Sequence, residues 1–505
     1  MRATHKALLP FATVLALAAL QTTGAAQPPK FSPDVPAKIT TPDAVETRIG
    51  TLRYKDGAPD PATVDLVYDQ LDFTRGIDTF LRGMSATSVH AVCKGFEDIG
   101  VKTNQDIALT GNLMDARTLF LTPNTTTVYT FFCVDLKGGP VVVRVPPRVL
   151  GPIDDADFRW VTDLGLTGPD KGAGGDYLLL PPGYDGDVPA SGYHVVKPRT
   201  NRVIVFYRAF VENGNVAAAV QGVKAKAAVF PLAVAGNPPA TRFVDTSGRK
   251  FNTISANDFS FYEELNAVVQ NEPADWVDPE TVGLYASIGI RKGQPFAPDA
   301  RLKKTLTEAV AVANGIARAT VFATRDSQAF FYPDRKWLTA FVGGSYEFLD
   351  GAERLLDART LFFYYATGIT PAMSEAKPGT GSAYAVVFRD AKGEYLDGGS
   401  NYSVTLPGPI PAKTFWSLTV YDNQTRSLLP TDQRSAGLGS EMPGIKANPD
   451  GGVTVWFGPT PPKGHESNWV QTMHGRGYNV ILRLYGPLEP WFEKTWKPGD
   501  FERQP

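Results

Sequence analysis

The chain has 505 residues, with 50 Lys and Arg against 52 Asp and Glu and a net charge of -2. That length is too great for one ordinary domain and predicts two or three. A mildly acidic chain without a basic stripe excludes nucleic acid and anionic membrane surfaces as natural partners.

The first 26 residues have the pattern of an export signal. Arg2 and Lys6 form a positive start, Leu8 to Leu20 is an apolar stretch too short to span a bilayer, and Gly24-Ala25-Ala26 offers small residues for cleavage. A buried first helix is the competing reading. Losing Arg2 and Lys6 with the leader moves the charge from -2 to about -4. No cysteine stands at the cleavage point, and no later run is apolar enough for a membrane span. The expected location is exported, either periplasmic or secreted. Residues 27–60, rich in proline at their start, are expected to be an extended tether.

Residues 62–100 have helical periodicity through Val64, Leu66, Val67, Leu71, Ile77, Phe80, Leu81 and Met84. From Ile107 the pattern changes to short β-type runs at 119–121, 128–134, 141–145, 177–180 and 203–207, punctuated by Gly138-Gly139-Pro140 and Pro181-Pro182-Gly183. Residues 61–210 therefore predict an N-terminal β-rich domain with leading helices. Residues 211–330 predict a helical connecting segment. There Ser260 and Glu263 have capping-box spacing, and 299–325 places Leu302, Leu306, Ala309, Val310, Ala313 and Ala317 on one helical face. That face is expected to pack against a β domain.

Residues 331–505 predict a C-terminal β-sandwich domain. Trp416, Leu418 and Val420 alternate with Ser417, Thr419 and Tyr421, and the runs 453–457 and 478–484 repeat the pattern. The expected fold class is α+β, mainly β, with two jelly-roll-like β-sandwich modules joined by a helical middle segment.

The chain lacks a G-x-S-x-G elbow, an H-E-x-x-H pair, a phosphate loop and a dinucleotide fingerprint. Beyond the leader its histidines are His90, His194, His465 and His474, none at metal-ligand spacing from another. Neither a metal nor a cofactor is expected. Cys93 and Cys133 can form one disulfide in an oxidising compartment or remain two buried thiols. Asp163, Asp170, Asp176, Asp185 and Asp187 alternate with glycines. Their spacing fits no EF-hand loop, which favours a connection with solvated acids.

The main local concentration is "TPNTTTVYTFFCVDL" from Thr122, where Asn124 and Thr127 precede Tyr129. Such residues close a turn ahead of a strand, and they also suit the rim of a site. A second set follows a strand at "VYDNQTRSLL" and offers Asp422 and Arg426. Arg483 and Tyr485 lie opposite the Val480, Leu482, Leu484 face. They suit a carboxylate or sugar, or an ion-pair lock to the next strand. Trp456, Trp469, Trp491 and Trp496 read as core and C-terminal latch, or as a stacking platform.

These residues, with "NTTTVYTFFCVDLKGGPVVVRVPP", "GPDKGAGGDYLLLPPGYDGDVP", "FWSLTVYDNQTRSLLPTDQ" and "ILRLYGPLEPWFEKTWKPG", carry a resemblance. From about residue 60 to the end, the chain resembles bacterial two-part proteins with domain of unknown function 1254 ahead of domain of unknown function 1214. Many of those relatives have Asn-Pro-Asp-Thr-x-Tyr where this chain has Asn124, Thr125, Thr126, Thr127 and Tyr129, so the acidic position is threonine here. The resemblance implies two jelly-roll-like modules, export and a homo-oligomer. It assigns no reaction, and it singles out Asn124, Thr127, Tyr129, Arg483 and Tyr485.

The leading expectation is a pocket for a small polar or glycan-like ligand, lined by Asn124, Thr127, Tyr129, Asp163, Asp422, Arg426, Arg483 and Tyr485. The rival from another class is a hydrolase or lyase in which Asp163 or Asp422 works with Tyr129 or Arg426. A third reading is an envelope protein whose apolar surface serves self-assembly.

Overall fold

The computed structural model describes residues 30–505, and the leader lies outside the described residues. The chain divides into two units at Tyr68 and Asp69. In the first, Ala44–Thr47, Gly50–Lys55 and Ala58–Pro59 form an antiparallel meander. Asp60 then accepts a hydrogen bond from the Thr63 amide at 2.7 Å, which caps the helix Pro61–Asp98.

In the second unit helix and strand claim comparable shares of the residues. A six-stranded sheet has the order Arg242–Asp245, Asp106–Leu109, Thr127–Asp135, Arg202–Phe210, Val149–Asp155, Trp160–Gly165. Its first pair is parallel and joins segments more than a hundred residues apart, so the sheet is mixed and open. A four-stranded sheet (His194–Val196, Gly175–Leu179, Val141–Val145, Ala228–Pro231) packs on one of its faces through Val128, Phe132, Val134, Val143, Tyr177, Val203 and Val205. In the C-terminal part, the sheet Ser382–Val387, Tyr478–Pro487, Ala412–Asp422, Gly437–Gly439 shares a core with Trp469–Gln471, Val453–Gly458, Asn401–Leu406, Glu502–Gln504.

The expectation of a mainly-β fold with two jelly-roll sandwiches is therefore corrected. The sheets are open and several of them mixed, with neither curled nor closed edges. Helices supply much of the largest core, where Phe80, Met84 and Phe96 meet Phe261, Leu265, Leu306, Val310 and Phe362. The helix Ala300–Phe322, begun by Asp299 accepting from the Leu302 amide at 2.7 Å, packs on the helix Leu356–Tyr365. It also meets the C-terminal β part, with Phe322 against Phe388 and Arg318 donating to the Asn423 and Gln424 carbonyls. A Cβ at Gly76 would lie 2.8 Å from the Ala309 Cβ, so that helix pair needs glycine for its close approach. The capping box is also corrected. Ser260 is the first residue of the helix Ser260–Asn271, and the Asp258 carboxylate accepts from its amide. Period-2 patterns identified individual strands, but they carry no information on which distant strand pairs with which.

Both faces of the strand Tyr478–Pro487 are buried. Val480, Leu482 and Leu484 enter the C-terminal core, while Ile481 faces the large mixed core. That second burial creates the candidate site. Cys93, on the long helix, and Cys133, on the strand Thr127–Asp135, are joined as a disulfide. Among the described residues no helix is long and apolar enough to cross a membrane.

Candidate functional site

Two antiparallel strand pairs each place an arginine opposite a tyrosine. In the six-stranded sheet Arg208 is in register with Tyr129, and in the C-terminal sheet Arg483 is in register with Tyr384. Alternation along Arg202–Phe210 sends Val203, Val205 and Tyr207 to the inter-sheet core and leaves Ile204, Phe206 and Arg208 on the other face. That face and the Ser382, Tyr384, Val386 face of the C-terminal sheet line one cavity of about 90 Å³. Phe120, Phe131, Leu150, Pro152, Phe341 and Phe362 add apolar wall. The segment after the helix Leu356–Tyr365 adds Ala366, Thr367, Thr370 and Met373.

The polar groups of this cavity are under-used. Arg483 is 4% exposed and donates from Nη2 to the Thr122 carbonyl at 2.8 Å. Its Nη1, the Ser382 hydroxyl and the Thr367 hydroxyl are buried with no hydrogen-bond partner among the described residues, as is the hydroxyl of Tyr485, which is not part of the cavity lining. Neither Arg208 nor Arg483 takes part in an ion pair among the described residues. Burial acts to lower the pKa of each guanidinium, but the surrounding phenols of Tyr384, Tyr485 and Tyr129, together with Tyr421 for Arg483, act in the other direction and hold it raised. Both arginines stay charged. A buried donor without a partner costs about 1–3 kcal/mol, and more when charged. Such groups are retained where a ligand, an ion or ordered water supplies the missing partner.

Asn124 is 1% exposed and organises the rim. Its Oδ1 accepts from the Thr126 and Thr127 amides at 2.9 and 3.0 Å and from the Thr127 hydroxyl at 3.0 Å. Its Nδ2 donates to the Tyr129 hydroxyl at 2.7 Å, and its amide does so at 3.3 Å. The phenol oxygen accepts twice, so its own proton remains available. Thr122, a β-branched residue at φ 42°, sits in the left-handed region. Its amide donates to the Arg426 carbonyl at 2.9 Å while its carbonyl accepts from Arg483. Two elements of the C-terminal part thus hold the strained residue in place.

Tyr129 and Arg483 are therefore cavity residues, whereas Asn124 and Thr127 stand behind Tyr129. Tyr485 stacks on Phe415 with ring centroids 3.9 Å apart, and burial raises the pKa of its phenol against the two arginines. Asp163 lies behind the wall. It accepts from the Thr370 hydroxyl at 2.5 Å and from Trp160 Nε1 at 2.9 Å, and burial raises its pKa. Asp422 closes a turn by accepting from the Thr425 amide at 2.8 Å and pairs with Arg476 at 3.4 Å. Arg426 is buried over the Tyr364 ring, 4.1 Å from its centroid. Asp422 and Arg426 do not line the cavity, so the structure does not bring the Asp163 or Asp422 carboxylate to Tyr129 at its wall.

Two expectations about acids also change. Asp170 is not solvated but accepts from the Gly165 and Gly174 amides and from the Tyr177 hydroxyl, at 2.8, 2.9 and 2.6 Å. Asp176 pairs with Arg144. Among the described residues no group of three His, Cys, Asp or Glu side chains is placed to hold a metal ion. A second, more polar cavity of about 230 Å³ is lined by His90, Glu97, Arg202 and Glu272. Burial, then the charges of Arg202 and Lys94, lower the His90 pKa to about 4. Glu272 there is satisfied by the Asn201 amide at 2.6 Å and Asn271 Nδ2 at 2.9 Å.

Arg208, Tyr384 and Ser382 were not recognised from the sequence. Arg208 did leave a trace, since it interrupts the apolar face of Ile204 and Phe206 in "VIVFYRAF". A charged residue on a face that is otherwise core demands a partner, and here the strand register supplies only a phenol.

Residues 103–231 match the family model described as "Protein of unknown function (DUF1254)", and residues 381–489 match "Protein of unknown function (DUF1214)". Arg208 and Tyr129 fall in the first match, Arg483 and Tyr384 in the second. No curated protein matches the chain. The crystal structure of the VPA0106 protein from Vibrio parahaemolyticus is similar in fold, with TM-score 0.53 at 18% identity over 86% of this chain and 100% of that one. An uncharacterized protein from Burkholderia cenocepacia gives TM-score 0.39 at 12% identity over 87% and 96% of the two chains. The chain carries an N-terminal DUF1254 and a C-terminal DUF1214 domain, the arrangement of the bacterial DUF1254/DUF1214 family.

Proposed function

We propose that this is an exported protein that binds a small organic acid in the cavity between the two arginine-bearing sheets. The observation that carries the reading is a pair of guanidiniums, Arg208 and Arg483, without carboxylate partners among the described residues and walled by aromatic and aliphatic side chains. An anionic head would meet Arg483 Nη1 and the free proton of Tyr129, and its apolar body would lie against Phe206, Phe341 and Phe362. The wall argues against a sugar, whose many hydroxyls need more polar partners than these. It also offers no Asp, Glu, His or Cys to serve as a general base, which weighs against acid/base hydrolysis. Export is supported by the leader pattern and by the Cys93–Cys133 disulfide.

The test is a calorimetric and thermal-shift comparison of small carboxylic acids with neutral sugars. Carboxylates should bind the wild-type chain, and Arg483→Gln should weaken the response without removing it. Binding of sugars alone would overturn the reading.

A further inference from the structure

The charge count of the cavity constrains its ligand further. Arg208 comes from the six-stranded sheet and Arg483 from the C-terminal sheet, and both are within electrostatic reach of the same three phenols, Tyr129, Tyr384 and Tyr485. The Arg483 guanidinium carbon lies 5.9 Å from the Tyr384 ring centroid and 5.7 Å from that of Tyr421. Phenols supply dipoles and π-faces but no compensating charge. Two positive charges therefore converge on one apolar space.

Negative potential at the wall comes from the C-terminal end of the helix Leu356–Tyr365, whose Phe362, Tyr365 and Ala366 line the cavity. The acids behind the wall, Asp163 on the Thr370 hydroxyl and Asp154 on the Ile369 amide, are pushed by burial towards their neutral forms. A helix end is worth about half an elementary charge. The helix end offsets only about half of one charge, and the two arginines stand on separate sheets. A single carboxylate on one guanidinium therefore leaves the other without a carboxylate partner in low-dielectric surroundings, where an unpaired charge is costly.

We infer, building on the organic-acid reading above, that the ligand is a dicarboxylate whose two carboxylates engage Arg208 and Arg483 while its carbon skeleton fills the aromatic space between them. A phosphoryl dianion has the same charge but prefers rows of backbone N–H groups at helix starts and glycine-rich loops. Here both guanidiniums stand on strands, the helix Leu356–Tyr365 brings its C-terminal residues to the wall, and at the start of the helix Pro371–Ser374 the Ala372 amide already donates to the Thr370 hydroxyl at 3.1 Å. Size agrees with a small diacid. One water needs roughly 10–15 Å³, so the cavity of about 90 Å³ has room for a diacid of about four to eight carbons.

Titration calorimetry on the full chain with skeleton-matched pairs tests this: butyrate against succinate, benzoate against isophthalate, and phenyl phosphate as the alternative dianion. The expected result is that each diacid binds at least about tenfold more tightly than its monoacid. Arg208→Gln and Arg483→Gln should each bring the pair within about twofold, with monoacid binding still measurable. Arg208→Lys and Arg483→Lys, which keep the charge, should retain part of the preference. Thermal melts of all four variants separate loss of binding from loss of fold. Monoacids binding as tightly as diacids would overturn the inference while leaving the organic-acid site standing, and so would phenyl phosphate outcompeting both diacids. Silence from every acid would remove the site reading and the inference together.

Discussion

Asn124 and Tyr129, five residues apart, are locked together by two hydrogen bonds that both end on the phenol oxygen, at 2.7 and 3.3 Å. The turn that starts the strand therefore also aims the tyrosine. Tyr129→Phe leaves Asn124 Nδ2 buried without an acceptor and should cost about 1–3 kcal/mol in urea unfolding. Asn124→Ala removes the turn acceptor as well and should cost at least as much. Wild-type stability for both variants would show that the lock is not structural.

Arg483 is predicted to matter more for binding than for folding. Its Nη1 already lacks a partner, so Arg483→Gln gives up one bond, to the Thr122 carbonyl. Loss of one charge-assisted contact should weaken carboxylate binding roughly tenfold to a hundredfold. Calorimetry beside a thermal melt separates the two effects.

The glycines around Phe206 bear on both stability and binding. A Cβ at Gly151 would fall 2.1 Å from the Phe206 carbonyl oxygen and 2.5 Å from the Tyr207 Cα, both backbone atoms in the middle of the sheet. Gly151→Ala should therefore destabilise by about 1–3 kcal/mol or more. Gly368, at φ 76°, would place its Cβ 2.1 Å from the Phe206 ring, whose flexible end faces the cavity. Gly368→Ala should displace that ring and reduce ligand affinity in competition binding, and because φ 76° disfavours a Cβ it should also lower stability in a thermal melt.

The Cys93–Cys133 bridge closes a separation of 40 residues between the long helix and a central strand. Loop-closure entropy puts its contribution at roughly 3–4 kcal/mol. Cys93→Ala combined with Cys133→Ala, or reduction, should shift the guanidinium midpoint accordingly.

Stability should also depend on pH through Glu264. Burial lifts its carboxyl to about 7, against a partial offset from the Ala256 amide that it accepts. The folded state then holds a proton that the unfolded state releases at its ordinary pKa. This contribution is present below about pH 4.5 and is lost as pH rises towards about 7. Glu264→Gln should flatten the stability profile across that window by on the order of 2 kcal/mol. Denaturant melts at several pH values provide the check.

Much of the local structure was legible in the chain. The long helix to Asp98, the helix Ala300–Phe322 and the alternating strands near 128, 416, 454 and 480 follow from periodicity, because burial of one face imposes a period of 3.6 or 2 on the residues themselves. Tyr129, Arg483 and Tyr485 were visible as polar groups at odds with neighbouring apolar positions. Arg208 passed unnoticed because its strand otherwise reads as core.

Sequence alone indicated the longer helices and strands and a turn rich in Asn and Thr ahead of a tyrosine-bearing strand, but not the strands Ala44–Thr47, Gly50–Lys55 and Arg242–Asp245 or the helix Leu356–Tyr365. Only the tertiary structure decided that the supposed outer face of the C-terminal sheet is buried, and that Arg208 and Arg483, 275 positions apart in the chain, share a cavity. Strand identity is a local property of side-chain alternation. Sheet order and the meeting of two sheets arise from long-range pairing and packing, which no single window of residues encodes.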